Sequence, residues 1–99
     1  MIVPASTVLG LSAVLFGIGV FGFLARRNII LMLISVEVML NAVNVSLAGF
    51  SQQLGNPRGQ VLALFVIAVA AAEVAVALAI VIAVYRHFRS VDLLALIHI

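Results

Sequence analysis

RRNIILMLISVEVMLNAVNVSLAGFSQQLGNPRGQ, residues 26–60, decides the fold. Its middle, from about Ile29 to Phe50, is an apolar run broken only by small polar residues, two amides (Asn41 and Asn44) and one acid, Glu37. At ~1.5 Å of rise per residue such a run crosses a hydrocarbon core of ~30 Å as a helix. Arg26, Arg27 and Asn28 interrupt the chain on one side of it, with Asn28 placed to act as N-cap. On the other side Ser51 to Gln60 is a polar linker whose Gly55, Asn56, Pro57 and Gly59 are turn formers.

Outward from this segment the pattern repeats. Residues from about Val3 to Ala25 contain no ionisable side chain, and Pro4 suits the first turn of a helix, where a missing N–H costs nothing. A cleaved signal peptide would carry its basic residues before a shorter apolar core, whereas here they follow a long one, so the run is read as a retained helix. A third span, rich in alanine and valine, runs from about Val61 to Tyr85, and Arg86, His87 and Arg89 close it. The expected architecture is therefore an all-α membrane protein. A single membrane domain occupies 1–99, with three transmembrane helices at about 3–25, 29–50 and 61–85, and the tail 86–99 is mildly apolar and suited to the membrane interface.

Composition agrees, because 67% hydrophobic and 8% charged residues fall far from the ~25% charge of a soluble domain. Most of the surface must face lipid or other apolar helices. A net charge of +2 from five scattered arginines makes no basic stripe, which argues against a nucleic-acid partner. The chain has no cysteine, so thiolate ligands and iron–sulfur ligation are excluded and any redox cofactor belongs to another chain. Arg26, Arg27, Arg86 and Arg89 lie at one end of the three-span layout and Arg58 lies alone at the other. The positive-inside bias then places the N-terminus outside and the C-terminus in the cytoplasm, with Tyr85 and Phe88 at the inner aromatic belt.

Two acids stand out against this background. Glu37 falls about nine residues into the second span and Glu73 about twelve residues into the third, both counted from the arginine-rich end, so their depths differ by ~5 Å near the midplane. An acid at the centre of a spanning helix costs roughly 2.5 to 3.5 kcal/mol on insertion scales, and something must offset that. Burial disfavours the charged carboxylate and a nearby cation favours it, which is the balance a proton relay uses. At about 100° per residue Glu37, Asn41, Asn44 and Ala48 share one stripe of the second helix, while Ser35, Ala42, Ser46 and Gly49 lie on the opposite side. Asn41 and Asn44 read either as interhelical hydrogen-bonding residues or as groups that orient water along a proton path. Arg26 and Arg27 read either as topology determinants that reach anionic headgroups or as cations that bias such a path. Small-residue seams at Ser6, Gly10, Ala13 and Gly17 and at Ala68, Ala72, Ala75 and Ala79 suggest packed helices. Met32 and Met39 read as apolar filling, and His87 and His98 as solvated or interfacial.

RRNIILMLISVEVMLNAVN, residues 26–44, and GQVLALFVIAVAAAEVAVALAIVIAVYR, residues 59–86, resemble the subunit K family of proton-pumping NADH:quinone oxidoreductases, whose mitochondrial counterpart is the 4L subunit of respiratory complex I. With the preceding helix the resemblance covers about residues 8–89. It implies that Glu37 and Glu73 match the family's two membrane-embedded glutamates assigned to proton translocation, and that Arg26 and Arg27 match its functional loop arginines. It further implies a subunit without redox chemistry of its own, whose quinone, FMN and iron–sulfur clusters sit on partner subunits. The neighbours implied are the J-, A- and antiporter-like N-type membrane subunits. The valine- and alanine-rich composition favours a bacterial plasma membrane, a thylakoid membrane fitting less well. The tail, ending in LLALIHI at residues 93–99, departs from the polar tail common in that family.

Other readings compete. The C-type component of multisubunit sodium/proton antiporters has the same three-helix plan but generally lacks an acid matching Glu73. Small multidrug transporters are four-helix proteins with the acid in the first helix, and a structural scaffold would leave two centred carboxylates unexplained.

Overall fold

The computed structural model describes residues 3–97, which form α1 (Ala5–Ala25), α2 (Ile29–Leu54), α3 (Arg58–Phe88) and the short α4 (Leu93–Ile97). The first three are long and apolar enough to cross a membrane, with mean hydropathies of 2.3, 2.0 and 2.8. Pro4 stands at the N-cap of α1, where its carbonyl accepts from the N–H groups of Thr7 and Val8.

The turn between α1 and α2 is tight because the first amides of α2 find partners at once. The Asn28 side chain accepts from the N–H groups of Ile30 (2.9 Å) and Leu31 (3.4 Å), and its carbonyl accepts from Met32. Asn28 is thus the expected N-cap, satisfying donors that a helix terminus otherwise leaves open.

At the far end α2 continues to Leu54 rather than stopping near 50, and α3 begins at Arg58 rather than near 61. Polar residues beyond the apolar run do not stop a helix; a residue that accepts a left-handed backbone does. Gly55 supplies it, with φ 64°, and the Asn56 N–H closes the cap on the Ser51 carbonyl at 3.1 Å. The Asn56 side chain then accepts the Arg58 N–H at 2.9 Å and starts α3. Both helices therefore exceed a ~30 Å core at ~1.5 Å per residue, so their ends tilt or project.

Helix α2 is the middle of a row. It packs against α1 on one side and α3 on the other, and α1 and α3 pack on it rather than on each other. The overall extents of 52 × 24 × 17 Å are those of a flattened layer. The α1 contact uses the small face of α2 expected for close approach. Buried Ser12 of α1 donates its hydroxyl to the Ala42 carbonyl and shares a hydrogen bond with the Ser46 hydroxyl. A side chain in place of Gly49 would collide with Val8, and one at Gly19 would meet the Ser35 carbonyl at 2.9 Å.

The α3 contact repeats at 63, 66, 70, 74, 77, 81 and 84, all buried or half-buried, which is a heptad-like spacing along one face. The seams at Ser6–Gly17 and Ala68–Ala79 do not make these contacts: Gly10 and Gly17 look onto open space, and Ala68, Ala72, Ala75 and Ala79 are exposed. Small residues are so frequent here that several stripes qualify, and only one per helix faces its neighbour.

The tail does not hang free. The Ile29 N–H donates to the Val91 carbonyl at 2.9 Å and the Leu93 N–H to the Arg27 carbonyl at 2.7 Å, pairing Asn28 with Asp92 as an antiparallel bridge.

Candidate functional site

Helix register sets the relation between the two glutamates. Near the hairpin, a methyl group on Gly59 would lie 2.6 Å from the Leu47 carbonyl and 2.8 Å from Ser51, so α3 starts pressed against the last turns of α2. Counting back along antiparallel helices brings Ala70 to the level of Leu40, and Leu40, Ala70 and Glu73 do line one groove. Leu40 is one turn from Glu37, about 4.5 Å along the axis. The glutamates therefore stand at nearly one depth, with the α2–α3 seam between them.

Their faces differ. On α2 the residues turned to α3 run through Leu40, Asn44, Leu47 and Ser51, and Glu37 lies at about 50° to the centre of that stripe. Glu73 is offset by about the same angle from the α2-facing stripe of α3. Because the helices are antiparallel, these offsets carry the two carboxyls to opposite faces of the row. The grooves agree. Glu73 shares its groove with Leu40, Phe65 and Val69, on the α2 flank that also carries Val43 and Leu47. Ala48, on the Glu37 stripe, lines a different groove with Val45, Gly49 and Gln52.

The environments are unequal as well. Glu37 is half-buried, whereas Glu73 is exposed amid the outward-facing side chains of Leu62, Phe65, Val69, Val76 and Ile80. A carboxyl on such a surface at mid-membrane depth has no water to hydrate it unless a polar group or a hydrated path comes from outside the chain.

Of the amides that share the stripe with Glu37, Asn41 is exposed and Asn44 is half-buried at the edge of the α2–α3 seam. The Asn44 side-chain oxygen is fully buried, with no hydrogen-bond partner among the described residues. Arg26 and Arg27 are exposed at the turn between α1 and α2, nearly three helical turns, about 15 Å, from Glu37 along the axis, and do not join the glutamates. His87 stacks edge-on against Phe88 at 4.6 Å outside the site, and His98 lies outside the described residues.

Two features escaped the sequence. Ser12 is the polar anchor of the α1–α2 contact, and the spacing of Val8, Ser12, Gly19 and Gly22 could have marked that face, although other small-residue stripes compete with it. Tail docking had no side-chain signal, because its two hydrogen bonds are made by backbone.

Residues 7–97 match the family model described as NADH-ubiquinone/plastoquinone oxidoreductase chain 4L. The chain is 60% identical over 85 residues to NADH-quinone oxidoreductase subunit K of Salinibacter ruber, covering 86% of this chain and 84% of that protein. It is 53% identical over 89 residues to subunit K of Desulfovibrio desulfuricans, covering 90% and 89% respectively. Subunit 11 of the Thermus thermophilus enzyme is 57% identical over 79 residues, with 80% and 82% covered.

Proposed function

Because the chain belongs to the NADH-ubiquinone/plastoquinone oxidoreductase chain 4L family, we propose that it carries protons across the α2–α3 seam of that enzyme's membrane arm, using Glu37 and Glu73 as the loading sites. It is a multi-pass membrane subunit of NADH-quinone oxidoreductase, and other subunits of that complex are its partners. The matches to oxidoreductase subunits do not favour the antiporter reading.

One observation carries the proposal: two carboxyls at matching depth flank a single helix seam on opposite faces of a flat three-helix row. A proton that enters at one face reaches the other by crossing only that seam, through Glu37 on one side and Glu73 on the other. Half-buried Asn44, whose buried side-chain oxygen has no hydrogen-bond partner among the described residues, offers a water in the seam an acceptor. Asn41 lines the approach to Glu37 from its own face. Arg26 and Arg27 bias the inner end of the path with positive charge, and the N-terminus lies outside by the arginine distribution. Exposed Glu73 and its apolar surround need a covering chain, which suits one antiporter-like N-type neighbour on that face and the J- and A-type subunits elsewhere.

Redox chemistry stays on partner subunits, where quinone, FMN and iron–sulfur clusters belong. Charge and hydration shifts set off by quinone reduction reach this chain through its neighbours and change the protonation preference of the two acids in turn. The membrane is the bacterial plasma membrane, in keeping with the bacterial relatives.

Glu37→Gln preserves side-chain size and removes the titrating group. In membranes where the complex assembles at natural levels, the variant is expected to translocate fewer protons per NADH oxidised, because the group that would load and release the proton is gone. Full stoichiometry from an assembled Glu37→Gln complex would refute the relay.

A further inference from the structure

The geometry points to a positioning role for the C-terminal segment: residues 90–97 splint the turn between α1 and α2 and hold Arg26 and Arg27 in place. This rests on the proposed service of those arginines to the proton path. The turn itself is two arginines and an asparagine between long helices, and among the described residues side chains anchor only its far end, through the Asn28 cap. The backbone on either side of Asn28 is anchored instead by the tail. Val91 takes the Ile29 N–H at 2.9 Å, and the Arg27 carbonyl takes the Leu93 N–H at 2.7 Å. The two peptide groups that flank Asn28, one of them the peptide that follows Arg27, are thereby tied to residues following α3.

The tail is built to arrive there. α3 ends with Arg89 in the left-handed region at φ 60°, its N–H on the Tyr85 carbonyl at 2.6 Å, and this reverses the chain toward the turn. The Ser90 hydroxyl accepts the Asp92 N–H at 3.1 Å. The Asp92 carboxylate then caps α4, accepting from Leu94 at 2.9 Å and Ala95 at 3.2 Å. Ile29 is the first residue of α2, and its N–H would lack an intrahelical partner without the tail. The segment thus completes the amide terminus of α2 and couples the end of α3 to the arginine turn, across the two helices that carry Glu37 and Glu73.

The bridge offers its own test. Asn28 and Asp92 are flanked by hydrogen bonds and share none, a pair type with Cα atoms about 4.5 Å apart, inside the span a disulfide accepts. The natural chain has no cysteine to compete. In inverted vesicles holding the intact complex, Leu93→Pro, which removes the donor to Arg27, is expected to cut NADH-driven proton uptake about threefold or more, a loss in keeping with one backbone hydrogen bond. Asn28→Cys with Asp92→Cys in that background should restore uptake when oxidised and lose it again on reduction. A merely structural tail would not give redox-reversible uptake at constant complex content. Wild-type uptake by the reduced Leu93→Pro chain overturns the splint.

Should Leu93→Pro prevent assembly, the cysteine pair in the otherwise natural chain decides. A disulfide that forms and leaves uptake unchanged supports a tail docked through turnover; failure to form it, or loss of uptake on oxidation, overturns the proposal. Arg27→Ala run in parallel separates the two readings. Full uptake in that variant sinks the role given to the arginines, while reduced uptake there with full uptake in Leu93→Pro sinks the splint alone.

Discussion

Gly59 is where a single atom decides how closely two spans approach. Its absent side chain lets α3 lie against the backbone of Leu47, whose carbonyl a methyl group would reach at 2.6 Å. Backbone cannot swing aside as a side-chain tip does, so Gly59→Ala forces the hairpin to open or the helices to slide. The expected cost is about 1 to 3 kcal/mol, typical of overpacking, and it should appear as a lower midpoint in the unfolding of the chain in detergent. Because Gly59 also sets the α2–α3 register, the same variant should disturb the level match between Glu37 and Glu73. Sequence showed Gly59 as a turn residue; only the neighbouring helix reveals it as a contact. Glu37 and Glu73 are the reverse case, since two acids in apolar spans are visible from sequence alone.

At the level of elements, α2 holds the layer together by using its two flanks differently. Toward α3 it presents mostly larger side chains at heptad-like spacing, and toward α1 it presents serine, alanine and glycine. In a bilayer there is little hydrophobic gain from joining two apolar helices, so close packing and interhelical hydrogen bonds must supply the attraction. Ser12 makes both kinds of contact. Ser12→Ala should weaken the α1–α2 pair by about 0.6 to 1.7 kcal/mol, the range for interhelical bonds in membranes, and Ser46→Ala in the same background should add little. A double-mutant cycle on the unfolding free energy checks this, and full additivity of the two losses would show that they do not share a bond.

The flattened row leaves much of the molecule facing outward. Large apolar side chains from Leu9 and Phe16 of α1 to Phe65 and Ile80 of α3 are exposed, and so is Glu73. Lipid tails suit the first group and not the second. In the assembled complex the Glu73 face is expected to be covered by a partner, so a hydrophobic carbodiimide should label Glu73 faster in the isolated chain in detergent than in the intact complex. Glu37, half-buried within the chain, should show the smaller change. Peptide mapping after brief labelling reads both sites in one sample, and equal Glu73 labelling in the two preparations would remove the covering partner.

Residue order alone established three spans, a hairpin capped by Asn28 and two acids at similar depth, because hydropathy and helix rise are properties of a chain read in one dimension. It could not choose among several stripes of small residues, since alanine and glycine permit contact without specifying a partner. Which flank meets which helix, the placement of Glu37 and Glu73 on opposite faces of one seam, and the docking of residues 90–97 on the arginine turn were decided by tertiary structure. Those features depend on rotation about helix axes, which the side-chain order marks only ambiguously because several stripes compete, and on backbone hydrogen bonds between distant residues, which leave no mark in it.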